Sequence, residues 1–219
     1  MICYPAPHAR FAVRQEDLVV LDLEAGVYSC LAGAGAAISL AGAVLDLRDD
    51  DLADLLRSAG LLTTHPSLPP FEVEAPPLPR RDLFDAEAVR PRLGDVATVG
   101  LAYGDMLARF YGRPFGQLIA TARRARRPGV RPPDAEPSRT ALRQVAAFQQ
   151  SLPWIPFQGE CLYRSFMLQR ALRRRGEDAW WVFGVQTWPF EAHCWLQIGE
   201  VVLDDAAERV AAFTPILTV

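Results

Sequence analysis

The chain has 219 residues, half of them hydrophobic, and a formal net charge of −3, enough for one large or two small domains with a sizeable core. Without a basic excess there is no electrostatic case for nucleic acid as a partner. No apolar run reaches the roughly 18 residues of a membrane span, and the Met-Ile-Cys-Tyr-Pro start lacks the charged and apolar regions of a secretory signal, so a soluble, cytoplasmic protein is expected. The cysteines, at 3, 30, 161 and 194, form no C-x-x-C pattern, and the histidines, at 8, 65 and 193, are scattered. No metal site is therefore expected, and cytoplasmic thiols should be reduced.

Residues 9–14, 17–23 and 27–31 alternate like short strands, with Glu24-Ala25-Gly26 as a hairpin turn. Residues 32–45 are rich in alanine and glycine and read as a buried helix. Arg48-Asp49-Asp50-Asp51 places acids where a helix N-terminus favours them. Leu52, Leu55, Leu56 and Ala59 follow at helical spacing, Gly60 ends the helix, and Leu61-Leu62 starts a short strand. Six prolines between residues 63 and 82 mark an extended linker and a domain boundary. The divisions expected are 1–64, a linker at 65–82, and 83–219.

Two helical patterns follow, one carrying Val96, Val99, Leu101, Leu107 and Phe110, the other Phe115, Leu118, Ile119 and Ala122. Arg123, Arg124, Arg126 and Arg127 close the second, where cations suit the helix dipole. They read as a solvated helix end, or as a docking patch for an acidic partner. A proline-rich loop at 128–137 precedes a helix begun at Pro137-Ser138 and stopped by Pro153 and Pro156.

The chemistry concentrates after Gly159. Cys161 falls in the first turn of a helix that ends in Arg173-Arg174-Arg175-Gly176. A helix N-terminus carries partial positive charge, which favours a thiolate. Strands are expected over 178–184 and 192–198, with a return over 201–204 after the Gly199-Glu200 turn. A cysteine at a helix start, a histidine in a strand and a carboxylate beyond a hairpin make up a nucleophile, its base and the group that orients the base. Taken singly, a cysteine is more often a small core residue, and Cys30 and Cys194 fit that description. With a strict two-residue turn, His193 shares its face with Asp204; a one-residue bulge shifts the parity to Asp205. The backbone N–H of Cys161 is a natural oxyanion donor, with Gln158 or Trp154 as a second.

Two stretches carry family resemblances. Leu18-Val19-Val20-Leu21-Asp22, Gly26-Val27-Tyr28, Gly35-Ala36-Ala37-Ile38 and Leu55 to Leu62 resemble the PqqD-like recognition element of ribosomally made peptide pathways. That resemblance implies a small winged-helix-like domain that captures a leader peptide as an added strand beside a helix, with Val27, Tyr28, Leu52, Leu55 and Leu56 as leader-binding residues. The unit could equally be a structural cap on the larger domain.

Gly159-Glu160-Cys161-Leu162-Tyr163-Arg164-Ser165, Val182-Phe183-Gly184-Val185, Pro189-Phe190-Glu191-Ala192-His193-Cys194-Trp195 and Val202-Leu203-Asp204-Asp205 resemble the core of lasso-peptide biosynthesis B proteins, which are transglutaminase-like cysteine proteases. The fold class implied is α+β, with a papain/transglutaminase-like protease domain. Carried over, Cys161 is the nucleophile, His193 the base and Asp205 the acid, against the parity argument for Asp204. Cys194 stands where that family usually has Ala, and Leu203-Asp204 where Val-Asn is usual, so two adjacent acids remain open. The resemblance implies a precursor peptide as substrate and an asparagine-synthetase-like lasso cyclase as partner. It implies no cofactor, any ATP dependence entering through the cyclase. The alternatives are a transglutaminase or amidase on the same fold, or a non-catalytic peptide-binding scaffold.

Overall fold

The computed structural model describes residues 1–42, 44–66, 77–83, 89–124, 135–156 and 159–219. Its N-terminal part contains two antiparallel sheets. Strands β2 (Ala9–Arg14), β3 (Asp17–Asp22) and β4 (Val27–Leu31) form one, in that order. The uninterrupted apolar run Leu18-Val19-Val20-Leu21 explains the position of β3, since a strand covered on both faces has no polar side. Leu18 and Val20 enter a small N-terminal core with Phe11, Leu45, Leu47, Leu52 and Leu56. Val19 and Leu21 point the other way, into the main core with Phe148, Phe166, Trp181 and Leu196. The three-stranded sheet is thus a layer shared by two cores.

The second sheet has the order β5-β6-β1-β7, built from β1 (Ile2–Pro5), β5 (Ile38–Ala41), β6 (Val44–Leu47) and β7 (Leu62–Thr63). It corrects the expectation of a buried helix over 32–45. One 3-10 turn, Ala34–Ala37, is all the helix among the described residues there. Gly33 and Gly42 take φ of 72° and 59°, left-handed values that stop a helix and open a hairpin. Ile38 pairs with Leu47 and Ala41 with Val44, which brings Ile38, Leu45 and Leu47 into the small core. Gly35 fits beneath β2–β3 because a Cβ there would lie 2.8 Å from the Glu16 carbonyl. Helix α1 (Asp50–Ser58) forms where the acids are, with Asp49 accepting from Leu52 N at 3.0 Å and Gly60 at φ 73° beyond its end. The described N-terminal part thus holds one α-helix, where two were expected.

The linker expectation falls largely on residues outside those described. Its described end, 77–82, lies along β10 (Val201–Val202), with Val202 N donating to Arg81 O at 2.8 Å and Ala207 N to Asp82 Oδ2 at 2.9 Å. Helices α2 (Leu93–Arg109), α3 (Phe115–Arg124), α4 (Arg139–Ser151) and α5 (Cys161–Arg174) form where helical patterns were expected, but α2 buries Thr98, Val99, Ala102 and Met106 and leaves Val96, Leu101 and Leu107 of the expected stripe exposed. Ser138 caps α4 by accepting from Thr140 N and Ala141 N. Arg123 and Arg124 occupy the last turn of α3; Arg126 and Arg127 lie outside the described residues. Asp95, wholly buried at the start of α2, is held by Arg143 and Arg175, which ties α2 to α4 and α5. A four-stranded sheet of order β10-β9-β8-β11, with β8 (Trp180–Gln186), β9 (Glu191–Ile198) and β11 (Thr214–Thr218), backs these helices.

Candidate active site

Gly159 sets the start of α5. Its φ is 70°, and a Cβ there would press on the Tyr163 ring at 2.9 Å, so the turn into the helix needs glycine. Glu160 is extended and supplies no side-chain cap, which leaves the first N–H groups of the helix, Cys161's included, directed at the space before it. Cys161 is the first residue of α5 and is partly exposed. Ser165, one turn on, shares its face and donates from Oγ to Asp204 Oδ2 at 2.6 Å.

His193 sits in β9 opposite Gly184 of β8. A Cβ at Gly184 would fall 2.8 Å from Phe213 Cβ and 2.9 Å from the Trp195 ring, so both aromatics fill the space a side chain would take. The His193 ring lies 5.5 Å from that of Phe213 and 6.3 Å from that of Trp195, which restricts its rotation. Its Nε2 is 2.6 Å from Asp205 Oδ2. With Nε2 occupied, Nδ1 is the nitrogen left for Cys161, its hydrogen-bond partner.

Asp204 and Asp205 separate completely in their contacts. Ile198 pairs with Val201 and Gln197 with Val202, a two-residue turn, but the strand ends there. Asp204 folds back and accepts from Leu196 N at 2.8 Å as well as from Ser165, and so fastens β9 to α5. Asp205 is the acid that meets His193, and its Oδ2 is also 3.3 Å from Arg209 Nη1. Burial is the main reason that Asp204 is pushed up to about 6, against the bonds from Leu196 and Ser165.

The Cys161 thiol is drawn down to about 4. The hydrogen bond from the Cys194 thiol contributes most; burial opposes it, and bonds from His193 and the Cys194 main chain add to it. For His193, burial opposes charge, but its bonds to Cys161 and Asp205 prevail and raise its pKa above the ordinary 6.5. Both shifts favour a thiolate beside an imidazolium. The three side chains open on a cleft of about 590 Å³, with Phe148 and Leu152 as an apolar wall and Glu160, Arg164, Glu191 and Arg209 as a charged rim. Such a site can attack a carbonyl carbon and protonate a departing amine.

The other expected site residues scatter. Tyr28 packs on Phe190 at 6.3 Å and lies near enough to the Cys194 and Cys161 sulfurs for them to add to the burial that raises its phenol pKa. Val27 is exposed on β4, the outer strand of its sheet. Leu55 is 52% exposed, whereas Leu52 and Leu56, at 8% and 2%, pack the small core. Leu52 and Leu56 share a helix face at i, i+4 spacing that the fold uses internally, so they present no surface to a ligand. Trp154 is 85% exposed and absent from the described cleft lining; Gln158 lies outside the described residues.

Sequence reasoning missed Ser165, Arg209 and the contact of Cys194 with Cys161. Ser165 is detectable at i+4 from Cys161, and Arg209 at i+4 from Asp205. Cys194 is not, because parity turns it from the His193 face without saying what it meets.

The model of the transglutaminase-like superfamily matches residues 108–218, half of the chain, which includes Cys161, His193 and Asp205; the chain belongs to that superfamily. It is similar to the microcin J25-processing protein McjB of Escherichia coli, 44% identical over 50 residues, a stretch that covers 23% of this chain and 24% of that protein. No solved structure matches significantly. Among the described residues, no helix is long and apolar enough to cross a membrane.

Proposed function

We propose that this transglutaminase-like protein is a cysteine peptidase that removes the leader from a ribosomally made precursor peptide of the lasso type. The observation that carries the reading is the meeting of Cys161, His193 and Asp205 at one open cleft, with His193 bonded to Asp205 at 2.6 Å. The similarity to a microcin-processing protein supports the substrate class. The Cys161 thiolate attacks the scissile carbonyl, and the oxyanion forms beside the backbone N–H at the start of α5. His193 delivers its Nδ1 proton to the amine of the core peptide, which leaves. A thioester to the leader remains. Water, deprotonated by the same nitrogen, then frees the leader carboxylate and restores the thiol. Asp205 holds Nε2–H throughout and steadies the imidazolium.

Residues 1–64 hold the leader in this proposal, 65–82 link, and 83–219 cut. The exposed outer strand β4, with Val27 in it, offers backbone groups for an added strand, and Tyr28 of the same strand is near enough to Cys161 for its sulfur to act on the phenol. The core amine then passes to the cyclase partner.

Cys161→Ala tests the chemistry. Precursor cleavage should vanish while leader binding, measured by fluorescence anisotropy, persists; cleavage by that variant would overturn the mechanism. Removal of residues 1–64 would strip Val19 and Leu21 from the main core, so Val27→Arg is the sounder test of leader binding. It should weaken binding and leave alkylation of Cys161 by iodoacetamide unchanged. Isopeptide formation or ammonia release, in place of hydrolysed precursor, would identify a different acyl transfer.

A further inference from the structure

Cys194 lies beside the nucleophile and helps to lower its pKa, although no bond to Cys194 forms or breaks in the proposed hydrolysis. It is buried on β9, next in sequence to His193, and faces α5. Cys161 and Cys194 both line the cleft, and each thiol is close enough to shift the ionisation of the other. Ser165 Oγ also reaches the Cys194 carbonyl at 3.5 Å, so the first turn of α5 is anchored on β9 at this residue. The other two cysteines sit elsewhere: Cys3 in the small core and Cys30 exposed on β4.

We infer that Cys161 and Cys194 form a reversible disulfide under peroxide, which stops the peptidase and protects its nucleophile. The inference rests on the reading of Cys161 as the reactive thiol. In the first step the Cys161 thiolate attacks one oxygen of hydrogen peroxide, the O–O bond breaks, and hydroxide leaves as water with the proton held by His193. Cys161 is then a sulfenic acid. In the second step Cys194 sulfur attacks Cys161 sulfur, the S–O bond breaks, and the released hydroxide takes the Cys194 proton as a second water. Two thiols lose two electrons and one peroxide gains them. A dithiol reductant reverses the product by ordinary exchange.

The surroundings set the order of events. Cys161 is the more exposed of the two and the one held as thiolate, so it meets the oxidant first. Cys194 is kept protonated by burial first and then by the neighbouring Cys161. Once Cys161 becomes a neutral sulfenic acid, the repulsion from that neighbour is gone, and Cys194 is the nearest thiol to capture it. Without that capture, a sulfenic acid in an open cleft proceeds to the sulfinic and sulfonic acids, which a dithiol does not restore.

The test uses full-length protein and hydrogen peroxide. Wild type is treated, digested without reductant and mapped by mass spectrometry. The expected result is a peptide pair joined through Cys161 and Cys194, lighter by the two thiol hydrogens, and full return of the starting precursor-cleavage rate after dithiothreitol. Cys194→Ala and Cys194→Ser, checked for folding by circular dichroism and each compared with its own untreated rate, should give Cys161 sulfinic or sulfonic acid and no recovery. Oxidised wild type that carries sulfinic Cys161 without the linked pair would overturn the proposal, as would a Cys161 link to Cys3 or Cys30, or equal recovery in the Cys194 variants. The linked peptide is read without any activity, so failure of the peptidase reading would show separately, as cleavage that survives Cys161→Ala.

Discussion

Asp205→Asn is the substitution that most directly probes the proposed site. Asp205 Oδ2 accepts from His193 Nε2 at 2.6 Å, with only 9% of the His193 side chain and 16% of the Asp205 side chain exposed. Water therefore replaces little of what the carboxylate gives. Asn keeps an acceptor but loses the charge that steadies the imidazolium. A hydrogen bond to a charged group contributes about 1.5–3 kcal/mol, which at about 1.4 kcal/mol per decade is a loss of about 10- to 100-fold in kcat/KM. Arg209, 3.3 Å from the same carboxylate, pushes the loss toward the upper end, because its cation then faces His193 uncompensated. The pH profile carries a second signature. Asp205 helps to raise the His193 pKa, so its neutralisation lets the imidazolium lose its proton at lower pH. The alkaline limb of kcat/KM should move down by about one to two pH units, while the acid limb, set by the Cys161 thiol near 4, moves much less. The assay is cleavage of a synthetic leader–core peptide at subsaturating concentration from pH 4 to 9. Asp204→Asn is the matched control, expected within about threefold of wild type because it touches neither Cys161 nor His193. A collapse of Asp204→Asn with Asp205→Asn unaffected would refute the assignment.

Three further outcomes follow from the same contacts. Alkylation of Cys161 by iodoacetamide should be nearly flat from about pH 5 to 8, while that of Cys30, whose thiol burial and Asp17 push up, rises about tenfold per pH unit; parallel curves would argue against the thiolate–imidazolium pair. Asp204, with a native pKa near 6 against an ordinary 3.8, takes up a proton on folding between those values. Wild-type stability from this group is therefore greatest at low pH and declines as pH rises through 6, by at most about 3 kcal/mol. Asp204→Asn has no such slope, so in urea titrations its stability relative to wild type should climb from pH 4 to pH 7. Gly184→Ala forces a Cβ to within 2.8 Å of Phe213 Cβ and 2.9 Å of Trp195 and should cost about 1–3 kcal/mol, read as a lower Tm and, through the displaced Trp195 beside His193, a lower kcat.

Much of the fold was legible because strong local signals agreed with the tertiary outcome. Asp49 and Ser138 at helix starts, Gly60 and Gly176 at helix ends, and the apolar runs of β3 and β8 each have a physical effect that no neighbour overrides. The stretch 32–45 shows the opposite case. Its alanines favour helix, yet Gly33 and Gly42 take left-handed φ, and β5 is fixed by pairing with β6, which in turn pairs with β1. That partner lies more than 30 positions away, beyond the reach of any local window. The burial of Leu52 and Leu56 was open in the sequence for a related reason. A helix face of Leu52 and Leu56 signals burial against something, and the pattern does not say whether that is a ligand or the chain itself.

The pair Asp204-Asp205 marks where strand parity stops being an argument. Parity holds only while the pleat continues, and here it ends at Val202. Beyond it the chain is steered by hydrogen bonds. Leu203 N still reaches Leu196 O at 2.9 Å, and Asp204 then turns inward to accept the Leu196 N–H and the Ser165 hydroxyl. This rotates Asp205 onto the imidazole. Two adjacent carboxylates thereby receive different environments: Asp204 is bonded to Leu196 and Ser165 between β9 and α5, where burial disfavours its ionisation, and Asp205 lies between His193 and Arg209, where an anion has two partners. Asp204 fastens the strand that carries His193 to the helix that carries Cys161, and Asp205 is then free to hold the imidazole. On this account Asp204→Ala should do what Asp204→Asn does not: with no acceptor for Leu196 N–H, β9 loosens from α5, the Cys161–His193 contact lengthens, and the plateau of Cys161 alkylation below pH 7 is lost even though all three proposed catalytic residues remain.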